Sequence, residues 1–274
     1  MKKVLFIICF LLFVCASYAQ DAKFGKLSFE KAVNLSGKQR MLSQKIAKIV
    51  VLKSLGANGL NMERELKSAQ TLFNRNLMII KNNSVSQSAK VKAKVMAESK
   101  EWSRFKTILP TATANLEQFL SQSEMLLKKC RELVLAIEEA SNYSKQISYS
   151  AATGQLRIKT INKSGRQRML SQKMCLYYAV CRAFKSGKKS NVYCNGYVGI
   201  YNEMNRVIND LMVNELNDSE IDLVVSEILD IFQEIEDNKS KFVDNKTPLL
   251  TILKSTDNML NNFNKLTNLY SIKK

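Results

Sequence analysis

The chain has 274 residues, with 42 Lys and Arg against 24 Asp and Glu, a formal charge of +18, and no His. The absence of His excludes a His-based catalytic triad, a His-ligated zinc or haem and a His pH switch. Nine Gly and two Pro are too few for a turn-rich β-sandwich or barrel, and a hydrophobic fraction of 46% is typical of a folded core rather than of disorder.

The N-terminus has the pattern of a secretory signal peptide. A short basic region precedes an almost wholly apolar run over residues 4–16, and small residues stand three and one before a cleavage site after Ala19. We therefore expect residues 1–19 to be removed and the protein to be exported to the periplasm. An uncleaved membrane anchor is the alternative, and a lipoprotein site at Cys15 is disfavoured because a large residue precedes it.

A twelve-residue sequence occurs twice in the chain. NLSGKQRMLSQK at residues 34–45 and NKSGRQRMLSQK at residues 162–173 are identical at ten of twelve positions, at an offset of 128. Self-similarity at a fixed offset indicates a duplicated structural unit. It predicts a first repeat over residues 20–147 and a second over residues 148–274.

Each repeat is predicted to contain four amphipathic helices joined by short polar connections. Their expected ranges are 27–55, 61–80, 87–108 and 112–141 in the first repeat, and 156–185, 192–213, 219–238 and 248–272 in the second. Short connections imply antiparallel neighbours, so the expected fold is all-α, with two tandem antiparallel four-helix bundles. The join at residues 141–154 is either a break or one long connecting helix, and we favour a break.

The repeated sequence lies on the first helix of each repeat, where it forms two stripes. One stripe is apolar and predicts the bundle core; it contains Leu35, Leu42, Ile46 and Ile49, and in the second copy Leu170, Met174, Tyr177 and Cys181. The other mixes small, apolar and Gln residues around a single Arg; it includes Gly37, Arg40 and Gln44, and in the second copy Gly165, Arg168 and Gln172. Two such stripes predict two packing partners, namely the helix's own bundle and the same stripe of the other repeat or of a second chain.

This pairing would bring Arg40 close to Arg168, with Gly37 and Gly165 allowing close backbone approach. The two guanidinium groups repel, and burying an unpaired charge costs several kcal/mol. No acid occurs in residues 31–53 or 154–185. We therefore expect a small oxyanion between the two first helices, held by both Arg with Gln44 and Gln172 as added donors. The alternative is that both Arg reach water or meet acids from elsewhere in the fold.

A second geometry arises from the pattern Ser-x-x-Gln at residues 36–39 and 164–167, which fits a capping box. A helix that began there would offer free backbone N–H groups to an anion. Because the apolar spacing continues upstream through Val33, we favour an uninterrupted helix.

Four Cys follow the expected cleavage site, namely Cys130, Cys175, Cys181 and Cys194. They allow three full pairings, among which the sequence does not choose. Cys181 and Cys194 flank Gly187 and would lie at similar heights on adjacent helices, so a disulfide between them is possible, with free buried thiols as the alternative. No spacing indicates a zinc site, and we expect no metal and no cofactor.

The repeated sequence resembles the signature of the type IV pilus methyl-accepting chemotaxis transducer N-terminal domain family, which is similar to the periplasmic sensor domain of nitrate/nitrite sensor kinases. The resemblance covers about a dozen residues in each copy. It implies a four-helix bundle in which a first-helix Arg binds the anion at a subunit interface. On this chain the resemblance indicates Arg40 and Arg168 as the anion-binding residues. Its secondary candidates are Lys38, Arg166, Ser43 and Ser171.

Together these patterns predict an exported, non-enzymatic, sensor-like module that binds a nitrate- or nitrite-like anion. Family receptors carry transmembrane helices and cytoplasmic signalling domains that this sequence lacks, so we expect a membrane-bound signalling or envelope partner, and either a homodimer or an intrachain pseudo-dimer. The main alternative is a structural or adaptor protein of the envelope in which the motif serves helix pairing only. The basic charge would also suit anionic surface polymers, but export argues against nucleic acid.

Overall fold

The computed structural model describes residues 23–57, 61–141, 149–184, 188–237 and 248–272. The predicted signal peptide and its cleavage site lie outside these ranges. A hairpin of two short antiparallel strands, β1 (Lys23–Phe24) and β2 (Leu27–Ser28), precedes the helices. The described helices are α1 (Phe29–Ser54), α2 (Met62–Asn83), α3 (Ala89–Ile108), α4 (Leu116–Ala140), α5 (Tyr149–Ala183), α6 (Lys188–Met212), α7 (Ser219–Asp237) and α8 (Leu249–Ile272). The all-α prediction is confirmed.

The first helix begins and ends at residues that explain its length. The Ser28 hydroxyl accepts a hydrogen bond from the Lys31 amide and caps α1, and the helix continues unbroken through residues 36–39. It stops before Gly56, whose φ of 75° is the left-handed conformation that commonly closes a helix. The preference for an uninterrupted helix over a capping box inside the motif is therefore confirmed.

The start of the second repeat's first helix differs from its predicted position, whereas the predicted break falls partly on residues that the structure does not describe. Helix α4 ends at Ala140, and α5 begins at Tyr149 rather than at residue 156, so residues 149–154 are helical. Gly154 lies inside this helix because one Gly costs only about 1 kcal/mol, which packing along a long helix offsets. Residues 142–148 lie outside the described part of the chain.

The short β-hairpin, which the sequence did not predict, docks on the end of α2. A Cβ at Gly25 would lie 2.6 Å from the Asn83 carbonyl oxygen, and Gly25 has a φ of 63°. Only Gly fits such a contact at positive φ without strain. The Lys26 amide donates to Asn83 Oδ1 at 2.7 Å, which fixes the turn beside α1.

Helices α1 and α5 occupy the centre of the molecule. Each packs against the second and fourth helices of its own repeat, in a four-helix-bundle-like pattern, and the two also pack extensively on each other. Both stripes of α1 are consequently almost wholly buried, although Leu35 is half-buried. The pairing of the two motif helices, which the sequence left open, is within one chain in this structure.

The structure joins Cys181, near the end of α5, to Cys194 of α6 by a disulfide with a Cα–Cα distance of 5.4 Å. Cys130 and Cys175 are free and buried. Within the described residues, no helix is both long and apolar enough to cross a membrane.

Candidate functional site

The packing of α1 on α5 brings the two arginines of the repeated motif together over two glycines. A Cβ at Gly165 would lie 2.9 Å from Arg168 Nη2, and a Cβ at Gly37 would lie 3.1 Å from the same atom. The Gly37 Cβ would also lie 3.4 Å from Arg40 Nη2. The glycines therefore provide the space in which the two guanidinium groups approach each other.

Arg168 is completely buried, and its guanidinium group is hydrogen-bonded to Asn34 of the first repeat. Its Nη1 donates to Asn34 Oδ1 at 2.8 Å and its Nη2 to the Asn34 carbonyl oxygen at 3.3 Å. Asn34 in turn donates to Asn268 Oδ1 on α8 at 2.9 Å, and Asn264 of the same helix is a longer acceptor for Arg168, at 3.4 Å. All of these acceptors are neutral oxygens.

Arg40 makes the corresponding hydrogen bonds to the second repeat. Its Nη2 donates to Asn162 Oδ1 at 2.8 Å and, at 3.4 Å, to the Asn162 carbonyl oxygen. The Asn162 amide donates to the Glu138 carboxylate on α4. Each Arg thus bonds to the Asn of the other repeat, and that Asn bonds to the fourth helix of the Arg's own repeat, which gives the site a pseudo-twofold axis.

The charges at this axis are poorly compensated. Burial lowers the pKa of Arg168 to about 9, with repulsion from Arg40 adding to the effect. Burial also lowers the pKa of Arg40 to about 10, where repulsion from Arg166 acts in the same direction and Glu138 acts against it. Both groups remain protonated at neutral pH, and neither forms an ion pair with any described residue.

The excess of positive charge is greatest around Arg168. Lys38 lies half-buried nearby, and its pKa is lowered by burial and then by repulsion from Arg168. The Nε atoms of Arg168 and Arg40 are both buried without a hydrogen-bond partner in the described part of the chain. This arrangement offers planar, positively charged donors with no matching acid, which suits a planar oxyanion.

The predicted auxiliary donors, Gln44 and Gln172, follow Arg40 and Arg168 by one helical turn, and no hydrogen bond joins them to either guanidinium group among the described residues. Gln172 Nε2 donates to Asp257 Oδ1 at 3.1 Å, where Lys48 also binds at 2.6 Å. Gln44 Nε2 makes only a long contact of 3.5 Å with Ser43 Oγ. The Oε1 atoms of both Gln are buried and lack a partner among the described residues.

The secondary candidates fall into two groups. The hydroxyls of Ser43 and Ser171 donate at 2.8 Å to the carbonyl oxygens of Arg40 and Arg168 respectively, so they bond within their own helices. Arg166 forms a two-point ion pair with Glu203 on α6, with Nη2 at 2.9 Å from Oε2. Its charge is therefore neutralised locally.

Sequence reasoning missed the acceptors that hold the arginines. Asn34 and Asn162 open both copies of the motif, and that identity was the available signal. Glu138 carried no signal, because its approach to Asn162 depends on how α4 crosses α5. The Lys48–Asp257 ion pair could not be predicted from the sequence either, because the two residues are 209 positions apart.

No family model matches the chain, and no curated protein or solved structure is significantly similar to it. Within the described ranges, no group of three or more His, Cys, Asp or Glu is placed to hold a metal ion.

Proposed function

We propose that this protein is an exported, non-enzymatic, sensor-like module that binds a small planar oxyanion, such as nitrate or nitrite, between α1 and α5. The observation that carries the proposal is the buried pair Arg40 and Arg168, which face each other over Gly37 with no acid in ion-pair contact among the described residues. Burying like charges without a counter-charge is costly, and a bound anion removes that cost.

The anion is proposed to act by changing how tightly the two repeats pack. It binds most strongly when both guanidinium groups converge, so it shifts the population towards the tightly paired state of α1 and α5. Charge-assisted hydrogen bonds contribute about 1.5–3 kcal/mol each. Two arginines then support micromolar to millimolar affinity. The tightened pairing is passed to a membrane-bound signalling or envelope partner.

One feature of the sequence and one of the structure support an exported location. The N-terminal segment has the three-part pattern of a signal peptide cleaved after Ala19, which would deliver the chain to the periplasm. The disulfide between Cys181 and Cys194 is of the kind that persists in oxidising compartments. The resemblance of both motif copies to the chemotaxis-transducer family supports the sensor role.

A structural or adaptor role is the second candidate, and the cross-repeat bonds of Asn34 and Asn162 favour it. In that case, the Arg–Asn pairs serve only to fix the register of α1 against α5. The two functions differ in one consequence, because a purely structural pair has no affinity for an added anion.

Thermal unfolding separates the two candidates. At a nitrate concentration about 100 times its Kd, binding to the folded state contributes about 2.7 kcal/mol, which raises the Tm by roughly 5–10 °C for a chain of this size. Nitrite should act similarly, and chloride, sulfate and phosphate less. The double variant Arg40→Gln and Arg168→Gln should lose this shift.

The matched control removes the same number of charges from an exposed surface. Arg64 and Arg75 of α2 are exposed, so the double variant Arg64→Gln and Arg75→Gln should keep the full nitrate shift. If millimolar nitrate and nitrite leave the wild-type Tm unchanged, the binding proposal is wrong and the structural role is preferred.

A further inference from the structure

A groove of about 420 Å³ lies between α4, α5 and α6, on the Arg40 side of the central pair. Cavities that bind small organic molecules have volumes of about 300–1,000 Å³. A nitrate-sized ion would occupy only a small part of this space. The groove is therefore large enough for an organic ligand.

Arg40 forms the buried, charged part of the groove wall. Its residue surface is only 2% exposed, yet it lines the groove, and its Nε has no hydrogen-bond partner among the described residues. Nη2 is bound to Asn162, which fixes the plane of the guanidinium group. A pre-positioned cation whose charge is not fully balanced is a recognition point for an anionic group.

The other charges leave the groove positive. Arg166 is neutralised by Glu203, and Lys173 is paired with Glu124 at 3.0 Å. Lys128 and Arg131 of α4 also line the groove, are exposed, and form no ion pair with any described residue. Lys128 and Arg131 therefore add two unpaired cations beside Arg40, whose own charge Glu138 balances only in part.

The opposite side of the groove is apolar and partly aromatic. Tyr177 lies against Gly196, where a Cβ would come within 2.6 Å of the ring. A Cβ at Gly199 would meet nothing within 4 Å, so this position leaves the groove open. The remaining apolar lining consists of Leu127, Met169, Leu170 and Ile200.

We propose that this groove binds a small organic carboxylate, with the carboxylate on Arg40, Arg131 and Lys128 and the carbon body against Tyr177 and the apolar lining. The proposal extends beyond the oxyanion function, because it assigns a second ligand class to a separate cavity. It shares only Arg40 with the proposed oxyanion site.

The test is a thermal-shift series on the whole protein with benzoate, phenylacetate and hexanoate, each compared with its neutral amide. A ligand at about ten times its Kd should raise the Tm by roughly 3–5 °C, and the amides should have little effect because they lack the charge. If no carboxylate exceeds its amide at about 10 mM, the proposal is overturned.

Variants at Gly199 then locate the binding. Gly199→Leu places a side chain in the groove and should abolish the carboxylate shift, whereas Gly199→Ala should keep most of it. Far-UV circular dichroism checks that both variants fold. Retention of the full shift by a folded Gly199→Leu variant would also overturn the proposal.

The same variants separate this proposal from the oxyanion function. Gly199→Leu should leave any nitrate shift intact, because Arg168, Gly37 and Gly165 lie away from the groove lining. Arg131→Gln should weaken carboxylate binding several-fold and nitrate binding less, because Arg131 is only the smallest of the charges acting on Arg40. A carboxylate shift without a nitrate shift would reject the oxyanion site alone, and the reverse result would reject the groove alone.

Discussion

The bonds of Arg40 and Arg168 are related by pseudo-symmetry, but their surroundings are not equivalent. Both Arg bind an Asn from the other repeat, but that Asn bonds to Glu138 on the Arg40 side and to Asn268 on the Arg168 side, and Arg168 also has Asn264 as a longer acceptor. A carboxylate near Arg40 partly balances its charge, whereas Arg168 is surrounded by neutral acceptors. The affinity for an added anion should therefore depend more strongly on Arg168 than on Arg40.

We expect the motif to require Gly165 because a larger residue would collide with Arg168, not because the backbone there must be flexible. In Gly165→Ala, the new Cβ would lie 2.9 Å from Arg168 Nη2, which is buried and bonded to Asn34. Displacing it should lower the free energy of unfolding by about 1–2 kcal/mol in a urea titration.

The matched control makes the same substitution at Gly199, also inside a helix, where nothing lies within 4 Å of the new Cβ. Gly199→Ala should raise the free energy of unfolding by about 0.5–1 kcal/mol, because Ala is the better helix former. Equal effects of the two substitutions would contradict the close approach at Gly165.

Glu98 of α3 provides a pH-dependent test of the first repeat's core. Burial raises its pKa from 4.5 to about 8, with Cys130 Sγ as its hydrogen-bond donor. The folded state therefore retains a proton that the unfolded state loses, so stability falls as the pH rises from about 4.5 to about 8. The decline has a limiting slope of about 1.4 kcal/mol per pH unit.

Glu98→Gln should remove this part of the decline, because the amide does not titrate. Urea titrations at several pH values between these limits measure the difference, with the exposed Glu63→Gln on α2 as the control. Identical slopes for wild type and Glu98→Gln would mean that Glu98 titrates as an ordinary carboxyl.

At the scale of elements, the periodicity of the sequence predicted most helix positions but not every end. Apart from the start of α5, the eight described helices lie close to their expected ranges because apolar spacing and stop signals are local properties. The early start of α5 at Tyr149 was missed because residues 141–154 are polar and rich in Ser, which is typical of a connection, although Ser148 is of a residue type favoured at helix starts. The β-hairpin was missed for a similar reason, because it depends on contacts with Asn83.

The disulfide between α5 and α6 should contribute measurably to stability. It joins two cysteines that are 13 positions apart in the sequence. A loop of this length gives about 3 kcal/mol in the chain-entropy model. The double variant Cys181→Ser and Cys194→Ser should therefore unfold at lower urea concentration by this amount. Dithiothreitol should destabilise wild type but not the variant, and an insensitive wild type would contradict the assignment.

At the scale of the whole molecule, the duplication places a dimer-like interface inside one chain. Helices α1 and α5 pair across it, as identical subunits would about a twofold axis. The repeat and the stripe of Gly, Arg and Gln were readable from the sequence, and so was the expectation that two Arg meet. The acceptor roles of Asn34, Asn162 and Glu138 were not predicted, although the Asn shared by both copies was visible, because these contacts depend on how three helices cross.

The most direct test of the central claim is isothermal titration calorimetry of the protein with nitrate, beside the Arg168→Gln variant. An anion held between α1 and α5 of one chain predicts a single saturable site with one nitrate per chain. The same titration of Arg168→Gln should show at least a tenfold loss of affinity, equivalent to about 1.4 kcal/mol. Absence of saturable nitrate binding to the wild type, or unchanged binding to Arg168→Gln, would contradict the account.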